Sequence, residues 1–296
     1  MTGMNDMRKL LVIDIGGTSV KYGIWKKDTL EKTASAATPK SWIEMKELIL
    51  QLSKQIDEEI EGVAISCPGA VDTKSGTIYG ASAIDYIHRF PIREELSKWV
   101  GLPVSIQNDA NCAALAEVWC GNAKEATSSA FLIIGSGIGG AIVIDNELKS
   151  GAHLFGGEFG FMIIDSKTNQ TLSEAGSPVT MSSHFSEEKK DGRSYSGLDV
   201  FALAEKGDEL AKESVDRLLQ AIAIGAFNLS VTFDPEVLLI GGAISQNTHV
   251  ITEITARLKQ LTKDKGADGL SPCVKPCQYL DKANMIGAVY QFNLEH

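Results

Sequence analysis

Lys9-Leu-Leu-Val-Ile-Asp-Ile-Gly-Gly-Thr-Ser-Val-Lys-Tyr-Gly-Ile-Trp25 decides the fold. Its first half is a continuous apolar run, the pattern of a strand buried on both faces. Gly16-Gly17-Thr18 turns the chain, and Val20–Trp25 reads as a second strand, so the segment is a β-hairpin. Asp14 closes a hydrophobic strand, where a carboxylate is costly unless it faces a cleft, a cation or backbone donors.

The same form recurs in the second half. Leu132-Ile-Ile-Gly-Ser-Gly-Ile-Gly-Gly-Ala-Ile-Val143 is again apolar strand, glycine turn, apolar strand. A duplicated lobe with a cleft between the copies would give this pattern. Gly135 to Gly140 matches G-x-G-x-x-G, but a dinucleotide fingerprint needs a helix after the glycines. The β-branched run Ala141–Ile144 is a strand, so a glycine hairpin is expected instead. Glycine backbone can approach an anion closely and aim several N–H groups at it, or it can simply make a tight turn. Two related turns, plus Gly241-Gly242 after the strand Glu236–Ile240, favour a nucleotide cleft. Within it Asp14 has two readings, a water-mediated contact to Mg²⁺ or phosphate and a turn cap. Thr18 and Lys21 are open in the same way, as phosphate contacts or as a turn cap and a solvated charge.

Further along, Ser41-Trp-Ile-Glu44 has the form of a capping box opening a helix whose apolar face is Met45, Leu48, Ile49, Leu52 and Ile56. Gly62–Cys67 is a buried strand stopped by Pro68-Gly69. A short strand, Val104–Gln107, runs into the alanine-rich helix Asn108–Glu117, which sets Asn108 and Asp109 at a strand-to-helix junction. Phosphoryl transfer to a hydroxyl needs a held triphosphate, an in-line hydroxyl and an acceptor for its proton. Asp109 is the leading acceptor, and Asn108 can donate and accept, which suits a polyol. The alternative is that the pair merely caps the helix. Glu158, within Gly156-Gly-Glu-Phe-Gly160, is placed to clamp two sugar hydroxyls or is a solvated loop residue. Residues 186–197 are polar and read as an exposed loop, and 211–229 as a helix.

Composition narrows the partners. The chain has 296 residues, 44% apolar and 22% charged, enough for a core in each of two lobes. A formal net charge of −10 disfavours nucleic acid and anionic membrane surfaces. No apolar run approaches the roughly 20 residues that span a bilayer, and residues 1–9 hold no signal-peptide core, so a cytoplasmic protein is expected. The five cysteines suit free thiols in a reducing compartment. Cys273 and Cys277, each beside a proline (Pro272, Pro276), read as surface thiols.

Together these segments resemble the ROK family of sugar kinases and repressors over about residues 9–292. The motifs are Asp14-Ile-Gly-Gly-Thr-Ser-Val-Lys21, Pro68-Gly69, Asn108-Asp-Ala-Asn111 with Glu117, Ile134–Gly140, Gly157-Glu-Phe-Gly160 and Leu239-Ile-Gly-Gly242. The resemblance implies an α/β, two-lobed actin-like (ribonuclease H-like) architecture, usually dimeric, with ATP and Mg²⁺ between the lobes. It implies a smaller lobe of residues 1–117 completed by about 280–296, and a larger lobe of 118–279. Asp109 takes the position of the family's catalytic base. Asn108, Glu158, Gly69 and Phe161 fall in the sugar site. Asp14, Ile15, Gly16, Gly17, Thr18 and Lys21 form the first nucleotide segment, Gly137, Gly139 and Gly140 the second, and Gly241 and Gly242 lie near the adenosine. Only eight residues precede the first strand, whereas family repressors carry a DNA-binding module there, so an enzyme is expected.

The departures from the family pattern point to a substrate. Most members follow Gly-Glu-x-Gly with a His that binds zinc and the sugar's reducing end; this chain has Phe161. The cysteine-rich zinc loop is replaced by Thr171–Thr180 without cysteine, so no structural zinc is expected. Ala81-Ser-Ala-Ile84 stands where the family has a sugar-binding Asn. A pocket without a donor at O1 should tolerate a second ring there. The expectation is a kinase for the 6-hydroxyl of the non-reducing glucose of a β-glucoside such as cellobiose. The alternatives are a kinase for free N-acetylmannosamine, glucose or fructose, a non-catalytic sugar sensor, and a structural actin-like ATPase.

Overall fold

A computed structural model describes residues 8–56, 59–271 and 273–296. The polar stretch 1–7 and Pro272 lie outside the described residues. The chain divides into two compact units, residues 1–119 with 281–296, and residues 120–280.

The first unit opens with β1 (Leu10–Ile15), buried along its whole length, and β2 (Ser19–Lys26), antiparallel to it with Asp14 opposite Lys21. The polar edge strand β3 (Thr29–Ala37) follows, its register slipping at Gly23, and its polar side chains blunt the open edge. Helix α1 (Trp42–Lys54) is capped by Ser41, whose hydroxyl accepts from Glu44 N–H. The expected reciprocal bond is displaced: the Glu44 carboxylate accepts from the N–H of Lys40, one residue before the cap. Strand β4 (Gly62–Cys67), the short hairpin β5 (Ala70–Asp72) and β6 (Thr77–Tyr79), α2 (Ile92–Val100), β7 (Val104–Asn108) and α3 (Asp109–Cys120) complete this part. The sheet order is β3-β2-β1-β4-β7, with β1, β4 and β7 parallel. Leu11, Ile13, Ile49, Ile65 and Ile106 form the centre of its core.

The second unit repeats that plan. Strands β8 (Ser129–Ile134) and β9 (Ile138–Ile144) form the second hairpin, joined on one edge by β10 (Glu147–Leu148). A small hairpin, β11 (Ile163–Asp165) and β12 (Gln170–Thr171), leads into α4 (Leu172–Gly176), α5 (Pro178–Lys189), α6 (Gly197–Glu205) and α7 (Glu209–Phe233). Then come β13 (Val237–Gly241), α8 (Thr248–Asp264) and β14 (Cys273–Pro276), giving the order β10-β9-β8-β13-β14 with β8, β13 and β14 parallel. Phe185, Leu132, Leu238, Ile222 and Ile254 fill its core. The last helix, α9 (Ala283–Glu295), belongs to the first unit and packs on β1, β4 and β7.

Several sequence expectations need correction. Residues 186–189 are the last turn of α5 rather than loop, because Phe185 and Met181 anchor that helix in the core. Helix α7 runs two residues earlier and four later than 211–229, from its Asp208 cap to Asp234 in left-handed conformation. Cys277 is buried beside Gly241 rather than exposed; Cys273 is exposed. Burial pushes the Cys67 and Cys112 thiols well up, which keeps them protonated and inert. No helix among the described residues is long and apolar enough to cross a membrane.

Candidate active site

In the first unit the site is built where β1, β4 and β7 end. A parallel sheet presents the carboxyl ends of its strands as ligand-binding positions. Asp14 is buried there. Its Oδ1 accepts from Ser66 Oγ on β4 at 2.8 Å and from Asn284 Nδ2 on α9 at 3.1 Å. Among the described residues its Oδ2 accepts from no protein donor, so the buried carboxylate keeps one oxygen for a water or ion.

The turn that follows is shaped by its own backbone. Gly16 N–H donates to Ser19 O at 3.0 Å, and a Cβ on Gly16 would stand 2.9 Å from that same oxygen. Thr38 closes the turn from outside: its hydroxyl donates to Gly16 O at 2.6 Å and its N–H to Thr18 O at 3.2 Å. Gly17 and Thr18 are exposed, and Ile15 is buried behind them. Lys21, half-buried on β2, lies on the same sheet face as Asp14, since directly opposed antiparallel residues share a face.

Asn108 ends β7 and caps α3. Its Oδ1 accepts from Asn111 N–H at 3.1 Å, and its Nδ2 donates to Gly69 O at 3.0 Å. The capping and ligand readings are therefore compatible: the Asn108 carbonyl keeps a lone pair for a ligand, while its amide serves Gly69 O and bears on the Asp109 carboxylate. Gly69 adopts φ +99°, a left-handed conformation that aims its carbonyl at Asn108. Gln107 braces the junction from behind, accepting from Asn108 N–H and donating to Gln291 on α9 at 3.0 Å.

Asp109 opens α3, and its Oδ1 accepts from Ala110 N–H at 2.8 Å. Burial pushes its carboxyl above the ordinary range and the nearby Asp14 charge adds to this, while the Ala110 bond pulls the other way. A carboxylate held this way is a stronger base than one in water, which suits accepting a proton from a hydroxyl.

In the second unit, Gly135-Ser136-Gly137 makes the turn of the β8–β9 hairpin, whereas Gly139 and Gly140 lie inside β9 opposite Ile133 and Leu132. Gly140 has a packing reason: its Cβ would stand 2.3 Å from Phe131 O and 2.4 Å from the Phe159 ring. Gly135 has none. A Cβ there meets nothing within 4 Å, so packing within the chain does not require glycine at this position and the backbone is open to approach. Gly241 ends β13 against Cys277, and Gly242, at φ +87°, has a Cβ position 1.9 Å from Ile134 O, tying the two strands' ends together.

Glu158 is exposed at the head of a short 3₁₀ turn, Phe159–Phe161. Its N–H donates to Phe155 O at 3.2 Å and its carbonyl accepts from Phe161 N–H at 3.2 Å. Phe155 and Phe161, bonded through Glu158's backbone, hold their rings 6.2 Å apart while remaining 65% and 68% exposed. Two open aromatic rings linked through the backbone of one glutamate have the composition of a carbohydrate platform rather than of a core.

Four residues outside the sequence reading join these groups: Asn284, Ser66, Thr38 and Phe155. Phe155 was within reach of the sequence, lying three residues before Glu158 in the same loop. No cluster of metal-ligating residues occurs among the described residues.

Comparison with known proteins supplies the family context. The ROK family model matches residues 10–294. The β-glucoside kinase of Listeria innocua is 30% identical over 294 residues, covering 96% of this chain and 97% of that protein. The N-acetyl-D-glucosamine kinase of Aliivibrio salmonicida is 30% identical over 272 residues, 83% of this chain and 87% of the relative. Among solved structures, a ROK family protein from Streptococcus pneumoniae in complex with sucrose superposes with a TM-score of 0.89 at 32% identity, covering 97% and 98% of the two chains. The fold class is that of the two-lobed, actin-like ATPases.

Proposed function

Because the chain belongs to the ROK family, we propose that this sugar kinase transfers the γ-phosphoryl of ATP to the 6-hydroxyl of the non-reducing glucose of a β-glucoside such as cellobiose. The observation that carries the substrate is the Phe155–Phe161 pair beside Glu158. Where the family pattern sets a polar contact to a free O1, this chain offers an apolar ring. A second sugar or aryl group on O1 then leaves no buried donor unpaired and gains ring contact. The β-glucoside kinase relative and the sucrose complex of the Streptococcus relative support a site that accepts a glycosidic oxygen.

In this reading Asp109 takes the proton of the 6-hydroxyl as that oxygen bonds to the γ-phosphorus. The bond from phosphorus to the β–γ bridging oxygen breaks, and ADP leaves. Asn108 and Glu158 orient the sugar hydroxyls, and Gly69 fixes Asn108 through its carbonyl. Gly16, Gly17, Thr18 and Lys21, with Ile15 behind them, are the proposed triphosphate segment of the first unit, and Gly137, Gly139 and Gly140 that of the second. Gly241 and Gly242 border the adenosine. In its own unit each feature suits part of this ligand: the open space at Gly135 a phosphate, and the unbonded Oδ2 of Asp14 the water of a cation. Bound Mg²⁺ would neutralise the phosphate oxygens, with Asp14 holding its water shell. The small lobe proposed is 1–117 with 280–296, the larger 118–279. The protein is proposed to work as a cytoplasmic homodimer, which light scattering on the purified chain checks.

The deciding experiment is an ADP-release assay over cellobiose, salicin, glucose, N-acetylglucosamine and N-acetylmannosamine, followed by NMR location of the phosphate. The proposal expects kcat/KM for cellobiose or salicin well above that for free sugars, with phosphate on the 6-position of the non-reducing ring. Equal values for glucose and cellobiose, or a preference for an N-acetylated sugar, overturn the substrate.

A further inference from the structure

Each glycine turn is held from outside by a hydroxyl that donates to the turn's carbonyls. In the first unit, Thr38 Oγ1 donates to Gly16 O at 2.6 Å. In the second, the buried Ser177 Oγ donates toward Ser136 O at 2.7 Å and Gly135 O at 3.3 Å. Ser177 also caps α5, accepting from Val179 N–H at 3.2 Å, so its position is fixed by the helix it starts. Ser173 secures the end of the second turn, its hydroxyl accepting from Ile138 N–H at 2.8 Å.

The consequence follows from peptide geometry. In a trans peptide the C=O and the following N–H point in opposite directions. Pulling Gly16 O toward Thr38 therefore turns Gly17 N–H to the opposite side. Pulling Gly135 O and Ser136 O toward Ser177 turns the N–H groups of Ser136 and Gly137 away together. Among the described residues none of these three N–H groups has a protein acceptor, while the neighbouring Gly16 and Gly135 N–H groups are used internally. Successive free N–H groups pointing one way form an anion-binding nest.

We propose that Thr38 and Ser177 are positioning residues for the nucleotide, each fixing the peptide orientation of one glycine turn so that its N–H groups face the phosphates. This rests on the kinase reading above and goes beyond it by assigning two residues outside the glycine motifs. Neither hydroxyl touches the nucleotide; each acts through a carbonyl it holds. Without them the peptide units can rotate, and orienting them must be done at the expense of binding.

The test measures binding of Mg·AMPPNP, a non-hydrolysable ATP analogue, to the full chain by calorimetry, so no sugar or turnover is needed. Thr38→Val and Ser177→Ala are each expected to raise Kd about tenfold, the scale of one lost orienting hydrogen bond, and the double variant about a hundredfold. Thr38→Ser and Ser177→Thr, which keep the hydroxyl, are expected to restore binding. Rescue separates positioning from general weakening, and thermal unfolding of each variant reports the lost helix cap. Should Ser177→Ala fail to fold, Ser173→Ala probes the same turn from its other end with the same expected loss. Unchanged nucleotide affinity in folded variants, or no rescue by the hydroxyl-retaining ones, overturns the proposal. Wild-type protein that binds Mg·AMPPNP but phosphorylates no sugar would instead sink the kinase reading and leave this result standing. Wild-type protein that binds no nucleotide overturns both.

Discussion

Asn284, in the last helix of the chain, donates its amide hydrogen to Asp14 in the first strand at 3.1 Å, across 270 residues of sequence. With Ser66 on the same oxygen, it fixes the carboxylate's rotamer and leaves the other oxygen open. Asn284→Ala removes one of these two anchors. The KM for Mg·ATP is expected to rise about threefold to tenfold with kcat for the chemical step less affected, measured by titrating Mg²⁺ and ATP separately.

Asp109→Asn keeps the acceptor for Ala110 N–H but cannot take a proton. Turnover is expected to fall by roughly 10² to 10⁴, with sugar affinity retained in calorimetry. The pH behaviour has a definite sign. Burial and Asp14 hold the folded-state carboxyl above its unfolded range, so between the two pKa values the folded chain binds more protons. Stability contributed by the protonated form is lost as pH rises through the folded value. Asp109→Asn is therefore expected to melt at a higher temperature than wild type at pH 7, the gap closing below about pH 4, where both states are protonated. The acid limb of wild-type kcat/KM should lie above the ordinary carboxylate range for the same reason.

Two glycines separate packing from binding. A Cβ on Gly287 of α9 would stand 1.7 Å from Cys112 O of α3, so Gly287→Ala is expected to cost about 3 kcal/mol of stability in denaturant unfolding. A Cβ on Gly135 meets nothing, so Gly135→Ala should unfold like wild type while weakening Mg·ATP about tenfold. Loss of stability at Gly135 would show that the bare backbone there serves the fold.

The aromatic pair carries the substrate prediction. Phe155→Ala is expected to lower kcat/KM for cellobiose and salicin about threefold to tenfold while leaving glucose nearly unchanged. Phe161→His, which restores a donor, should shift the preference toward free glucose. A parallel loss for glucose and cellobiose would remove the pair from recognition of the second ring.

The parts of this site legible in sequence were those encoded locally. An apolar run ending in Asp14 and two glycines, and an alanine helix headed by Asn108-Asp109, each carry their own backbone signal, and both formed as read. Asn284, Thr38 and Ser177 had no such signal. Each matters through one hydrogen bond to a distant backbone or carboxylate oxygen, and no periodicity marks a helix serine as the partner of a turn some forty residues earlier. A proline-flanked segment looks like surface, whereas Cys277, one residue past β14, donates its N–H to Ile240 O and is covered beside Gly241. The polar residues 186–189 read as loop because composition outweighed the anchoring by Phe185.

The helix that covers β1, β4 and β7 comes after the whole of residues 120–280 in the chain. Residues 120–280 form a continuous unit and can close their core while synthesis continues, but the sheet bearing Asp14 and Asp109 stays uncovered until α9 arrives. The aspartate proposed to take the proton thus belongs to the unit that matures second, and its sheet stays open and aggregation-prone in the interval.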